Sequence, residues 1–346
     1  MWALIGTYNY LLYSGDEDFI RDNWSKHEAA VAYAWSLISD AGVVSVKGNR
    51  DWGRLTSAND RASASMLLYR ALVDAASITS WVPDLPTSGG VNETEDYLNK
   101  AETLREAIFD QFWDGEFGAF RESPDEPDLY PQDANSFALA YDIVKPGSEE
   151  ADRITDYLAT NWTPIGPSSP ELPENVSPFI TSVELEAHFR AGRPDRSLEL
   201  MRTLWGWYLT HENGTQSTTP EGFLLDGTWG YRYNGGYYNA PSYMSHAHCW
   251  SSGPTSTLSE FMLGLRLTKP GGEEWLLKPA SFDELKSVQA GYTTLLGKFS
   301  AKFEVGENEV AVEWNTPEGT TGVIELPGQE PEVVEGGIGS RVISLA

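Results

Sequence analysis

The chain has 346 residues, 40% of them apolar, enough for one large domain with a sizeable core and a smaller second one. Its 24 Lys and Arg stand against 51 Asp and Glu, a formal charge of -27. Such a field repels nucleic acid and anionic membrane surfaces and suits a neutral ligand.

The 13 Trp, 16 Tyr and 13 Phe mainly fill a core, but flat apolar rings are also what the face of a sugar stacks on. The single cysteine, Cys249, excludes an intramolecular disulfide and a cysteine-based zinc site. No run of about 18 apolar residues is present to span a membrane.

Met1–Tyr13 is apolar nearly all round and lacks the basic start and small-residue cleavage site of a signal peptide. Asp16–Ile38 is amphipathic, with Trp24, Val31, Trp35 and Ile38 on one stripe. The loop Gly42–Leu55 holds "DWGR". There, Trp52 either stacks on a sugar with Asp51 accepting from its hydroxyls, or fills the core beside an Asp51–Arg54 ion pair. Ala58–Ile78 is small and apolar, and Asn92–Phe112 carries charges on one face.

After the loop Trp113–Gln132, with its solvated acidic run Ser123–Asp128, Asp133–Val144 is apolar and Ser148–Leu158 charged. The loop Pro164–Ser177 leads to Pro178–Phe189, mostly apolar apart from Glu184 and Glu186, and to the amphipathic Arg196–Tyr208. A long loop, His211–Trp250, precedes the apolar Ser251–Leu267.

Buried-type and surface-type helices thus alternate, nine in all. That is what an (α/α)6 toroid of six helical hairpins requires, since inner helices are covered all round and outer ones face water on one side. A closed ring takes twelve, so the toroid is expected to be incomplete at its N-terminal side. The expected class is mainly α, with the toroid over 1–270 and a small antiparallel β-sandwich over 271–346. In the latter, Phe299, Ala301, Phe303 and Val305 face one way, Gly306-Glu307-Asn308 turn, and Val310, Val312 and Trp314 return. Further strands are expected around Val323 and Glu325 and from Val333 to Leu345.

The long loops are where chemistry is expected. In "STTPEGFLLDGTWGY" (Ser217–Tyr231), Glu221 sits among Phe223, Trp229 and Tyr231 with no basic residue nearby, and Asp226 follows closely. An apolar surround raises a carboxyl pKa and suits it to proton transfer; the alternative is a carboxylate capping its own loop. In "SHAHCWSSGPTSTLSEF", His246 and His248 are two histidines without a third ligand, better suited to sugar hydroxyls or to the fold than to a metal. Ser251 to Thr255 reads as a helix start. No phosphate-binding glycine loop and no serine-nucleophile motif is present, so no cofactor is expected. Asn-X-Ser/Thr occurs at 5 of 14 asparagines, Asn92 and Asn213 being the best acceptors, against roughly one in eight from average Ser/Thr usage. This favours an extracellular, glycosylated protein.

These stretches together resemble the α-L-rhamnosidase family of inverting glycoside hydrolases, whose catalytic domain is an (α/α)6 toroid followed by a β-sandwich. "STTPEGFLLDG" looks like the loop carrying the family's general base. "SHAHCWSSGPTSTLSEFMLGLR" resembles its Ser-His-x-Trp-Gly-Pro segment, "DWGR" its Asp-Trp loop, and "AGYTTLLGKFSAKFEV" its closing sandwich. The resemblance implies that Glu221 activates water and His248 binds sugar hydroxyls. Trp52 and Trp2 would wall the pocket, with Asp51 a polar contact and a rhamnoside the substrate. The family's acid-bearing segment, ending in Trp-x-Gly-Asp, is not found ahead of Met1–Tyr13, and its N-terminal β-domains are likewise not found. The implied alternatives are a glycosidase whose acid lies outside these residues and a non-catalytic carbohydrate-binding protein.

Overall fold

The structure, a computed structural model, describes residues 1–46, 51–54, 58–86, 93–232 and 241–345. Its contacts divide the chain into two compact units. One comprises Met1–Tyr33, Ala71–Lys100 and Thr255–Ala346; the other comprises Ala34–Arg70 and Ala101–Pro254.

Nine α-helices stand among the described residues. They are α1 (Trp2–Ser14), α2 (Glu17–Trp35), α3 (Ala62–Trp81), α4 (Glu93–Phe112), α5 (Gln132–Ala140), α6 (Glu149–Thr160), α7 (Pro178–Arg190), α8 (Pro194–Thr210) and the short α9 (Gly253–Thr257). Their ends follow local chemistry. Gly15, left-handed at φ 68°, closes α1 by donating its N–H to Leu11 O. The Ser148 hydroxyl caps α6 by accepting from Ala151 N, and Glu149, Glu150 and Asp152 fill the first turn where the helix dipole favours anions. Pro178 and Pro194, with φ preset and no N–H to waste, open α7 and α8.

The expected alternation is seen. Every residue of α5 is buried and α7 buries most of its length, whereas α6 buries only Ala151, Ile154, Thr155 and Leu158. An all-buried helix is what an inner position demands, because both α6 and α7 neighbour α5. Among the described residues, no helix is long and apolar enough to cross a membrane.

The last expected helix, Ser251–Leu267, is shorter than its apolar run. α9 widens into a π-turn over Leu258–Met262, and Leu265–Leu267 is already a strand. Gly264 makes the break: its φ is +81°, and a side-chain Cβ there would lie 1.9 Å from Lys278 O.

Five two-residue strands, β1 (Trp113–Asp114), β2 (Ala119–Phe120), β3 (Trp162–Thr163), β4 (Gly166–Pro167) and β5 (Asn175–Val176), belong to the loops, as does β6 (Phe223–Leu224). The C-terminal strands are β7 (Leu265–Leu267), β8 (Glu274–Leu277), β9 (Ser287–Thr294), β10 (Gly297–Val305), β11 (Glu309–Asn315), β12 (Thr321–Ile324), β13 (Glu332–Glu335) and β14 (Ile338–Ser344). They form two four-stranded sheets, ordered β14-β11-β10-β9 and β13-β12-β8-β7.

The β10–β11 register sets Val305 opposite Val310 across the 306–308 turn. Phe299, Ala301, Phe303, Val310, Val312 and Trp314 are buried as the alternation predicts. One pairing departs from the antiparallel expectation: β12 runs parallel to β8, because the chain between them is spent on three strands of the other sheet.

Candidate active site

Glu221 sits in a loop stitched on two sides. After it, β6 pairs with β5, the strand just ahead of α7. Before and at it, the backbone runs against residues 245–251. Glu221 N donates to Ser245 O (2.8 Å), and His248 N donates to Thr219 O (2.7 Å). The Thr218 hydroxyl donates to His246 O, and the Ser251 hydroxyl donates to Pro220 O (2.6 Å).

The two motifs quoted from the sequence are therefore one structure. Glu221 is 3% exposed. Its Oε2 accepts from Ser245 N (3.0 Å) and lies 4.0 Å from His248 Nδ1, while Trp250 Nε1 donates to its carbonyl (3.1 Å). A backbone donor on one carboxylate oxygen holds that oxygen in place.

Beneath the loop, Leu172, Tyr231 and Met244 form an apolar cluster with Trp52, Trp229 and Trp250 packed against it. Gly222 permits this: a Cβ there would come within 2.4 Å of the Tyr231 ring. The Tyr231 hydroxyl lies 3.2 Å from Ser177 Oγ, tying the ring to the entry of α7.

A row of rings runs across the site. Trp52 meets Phe179 edge-on at 6.2 Å, Phe179 stacks on Trp250 at 5.0 Å, and Trp250 lies 4.2 Å from the His248 ring. Trp52, Phe179, Trp250 and His248 are all partly exposed. Rings half in and half out of water beside a fixed carboxylate are what a sugar needs for stacking and hydrogen bonding together.

A buried ionic cluster lies under Trp52. Trp52 Nε1 donates to Asp133 Oδ2 (3.0 Å). Asp133, in the first turn of α5, also accepts from Arg54 Nη2 at 2.6 and 2.8 Å. Arg54 further donates to Glu122 (3.1 Å) and is paired with Asp51, and Arg61 Nη1 donates to Glu122 (3.2 Å). Glu171 accepts from the first two amides of α5, Gln132 N (2.8 Å) and Asp133 N (2.9 Å).

Burial would lower the Arg54 pKa, but Asp133, Glu122 and Asp51 raise it well above its ordinary value. Burial pushes Glu122 up. Burial and the charge of Asp133 push Glu171 up to about 8, against Arg54 and the Gln132 amide.

The remaining residues singled out in the sequence fall as follows. Asp51 is engaged in its own loop: its Oδ1 accepts from Gly53 N and Arg54 N. Burial alone would raise its pKa, and the Arg54 charge with these bonds lowers it. Trp2 belongs to the other compact unit, at the start of α1, and is 45% exposed. Glu184 is buried, accepting from Trp162 Nε1 (2.7 Å) and Gln132 Nε2 (2.6 Å), whereas Glu186 pairs with Arg190.

Asp226 accepts from Thr228, and the His246 ring stacks on Trp229 at 4.7 Å. Cys249 is a free, exposed thiol. Asn213 is exposed, and Asn92 lies outside the described residues. In the sequence Asp133 only opens an apolar stretch, and its partners Glu122 and Glu171 carry no signal of their own. Only the two prolines flanking Glu171, at Pro170 and Pro173, set that stretch apart from an ordinary acidic loop.

Residues 264–341 match the bacterial alpha-L-rhamnosidase C-terminal domain. A search of curated proteins gives no significant match. Among solved structures, the chain is similar to a GH78 family rhamnosidase of Bacillus, with a TM-score of 0.71 and 20% identity over 94% of this chain and 32% of that one. It is equally similar to a Streptomyces avermitilis alpha-L-rhamnosidase complexed with L-rhamnose, with a TM-score of 0.71 and 17% identity over 99% and 32%. A third is an alpha-L-rhamnosidase from Dictyoglumus thermophilum, with a TM-score of 0.71 and 14% identity over 99% and 39%. The resemblance read from the motifs is borne out, and so is the fold of the six-hairpin glycosidases. The chain spans about a third of the length of the structures it matches.

Proposed function

We propose that these residues bind α-L-rhamnose and serve its inverting hydrolysis, with Glu221 as the general base. The observation that carries this reading is the position of Glu221. It is a buried carboxylate pinned by Ser245 N, 4.0 Å from His248, at the end of the row of rings that runs from Trp52 to Trp250.

In the reaction, Glu221 takes a proton from water as the water oxygen bonds to the anomeric carbon. The glycosidic C–O bond breaks on the opposite face, and a second carboxyl group protonates the leaving oxygen. His248, partly exposed, donates to sugar hydroxyls, and the Trp52 ring carries an apolar sugar face. Asp51, with its charge held by Arg54, shapes the loop and leaves polar contact to its outer edge. The reading keeps an extracellular setting, for which exposed Asn213 offers a glycan acceptor.

The test is Glu221→Gln, assayed on an aryl α-L-rhamnoside beside L-rhamnose titration by calorimetry. Loss of the base should lower the hydrolytic rate by roughly 10²–10⁴-fold while leaving L-rhamnose affinity within about threefold. Undiminished hydrolysis by the variant would remove Glu221 from the mechanism. L-Rhamnose binding by the unaltered protein without any hydrolysis would favour a carbohydrate-binding role for the same pocket.

A further inference from the structure

We propose that Asp133 is a positioning residue for Trp52, holding the indole through its one N–H so that the ring stands ready as a sugar platform. The inference rests on the proposed rhamnose site and deepens it.

Trp52 has a single donor, and that donor ends on a carboxylate 1% exposed to solvent. The carboxylate itself cannot turn. Arg54, two residues beyond Trp52, reaches both of its oxygens, and Ala134 N donates to Oδ1 at 2.6 Å. The backbone behind it is held by Glu171, which takes the amides of Gln132 and Asp133.

Two residues of one short loop thus converge on one buried group of helix α5. A tryptophan held only by packing could swing about χ1 and χ2. Here any such swing strips a donor from a buried carboxylate paired with Arg54, and hydrogen bonds within such pairs are the expensive ones to lose. Phe179 meets the ring edge-on at 6.2 Å. Preorganisation of this kind raises affinity by removing the cost of ordering the ring on binding.

The experiment compares Asp133→Asn, Trp52→Phe and the double variant on the full chain. One readout is the indole N–H proton resonance of Trp52, identified as the signal absent from W52F. The other is the dissociation constant for L-rhamnose. Trp52→Phe keeps an apolar ring and every charge of the cluster but removes the donor, so it reports on the bond even if D133N folds poorly. Each single variant should weaken L-rhamnose binding about ten- to hundredfold, with the double no weaker than the worse single. D133N should also move the Trp52 indole resonance.

An indole resonance unmoved in D133N, wild-type affinity in W52F, or losses that add in the double variant would each overturn the proposal. If the unaltered protein binds no L-rhamnose, the rhamnose site itself is wrong. The indole resonance still decides whether Asp133 holds the ring.

Discussion

Glu171 makes the stability of this chain depend on pH in a direction opposite to that of most carboxylates. It is 1% exposed, and its pKa is raised from 4.5 to about 8 by burial and by Asp133. Between those two values the folded chain keeps a proton that the unfolded chain has released. Stability therefore falls as pH rises through the window, and levels off above the folded value.

One such group contributes a slope of at most ~1.4 kcal/mol per pH unit. His27 works against it at the acid end. Burial lowers its pKa from 6.5 to about 4, so its contribution rises with pH up to 6.5. From pH 6.5 to 8 Glu171 should by itself remove about 2 kcal/mol, while the Met1 amino group, lowered from 8.0 by burial, works the other way, so the contribution of Glu171 is read as a difference from a variant that cannot titrate there.

Glu171→Gln mimics the protonated acid but can accept only one of the two α5 amides. It should be less stable than wild type at pH 6.5 by about 1–3 kcal/mol, for the stranded amide, and should approach or overtake wild type by pH 8.5. Urea unfolding at half-unit pH steps reads the difference directly. Parallel curves for the two proteins would refute the assignment of a proton to Glu171.

Two glycines give predictions that need no titration. Gly222→Ala drives a Cβ to 2.4 Å from the Tyr231 ring, which is 1% exposed and has no room to retreat. It should cost about 1–3 kcal/mol by urea unfolding and lower the hydrolytic rate through the adjacent Glu221, and wild-type values in both would contradict the packing described. Gly264→Ala meets backbone, the Lys278 carbonyl at 1.9 Å, at a φ of +81°. Two penalties coincide there, so a loss of about 4 kcal/mol or failure to fold is expected, and an unchanged thermal midpoint would show that β7 does not begin as described.

The helices were legible in the sequence because burial imposes a period. The charged stretch expected from Ser148 has that serine as its cap, one step before the first helical residue. The run Met1–Tyr13 became Trp2–Ser14, stopped by a glycine. The strands β10 and β11 were legible for the same reason at period two. The end of Ser251–Leu267 is not legible because "LGLRL" satisfies a helix face and a strand equally well, and only the tertiary approach of Lys278 to Gly264 decides between them.

In the site, Glu221 stood out by what it lacked, basic neighbours, and its companions 245–251 by resemblance. The cluster around Arg54 gave no such signal. Its members are separated by 68 residues for Glu122 and 79 for Asp133, with no periodicity to connect them. Asp51 showed both of its readings in "DWGR", and its hydrogen bonds to Gly53 and Arg54 come from the loop itself.

The buried charges call for a reason beyond stability. Removing several ions from water costs about as much as their attraction returns, and well-packed apolar side chains in the same volume often do better. What such a cluster supplies is direction. Gly53 is bare because a Cβ would lie 2.8 Å from Leu172. That close approach seats the backbone on the apolar cluster beneath Glu221, of which Leu172 is part.

Arg54 then enters the ionic cluster and Trp52 reaches Asp133, so the chain is held below by packing and at both sides by directional bonds. An apolar substitute for Arg54 would hold the loop down without setting the angle of the indole. The same charge that costs desolvation energy is therefore what relates the plane of Trp52 to helix α5. The next helix, α7, supplies Phe179 to the same row of rings. A neutral sugar with few strong handles is recognised by the placement of such rings, and placement is what a packed apolar core alone leaves loose.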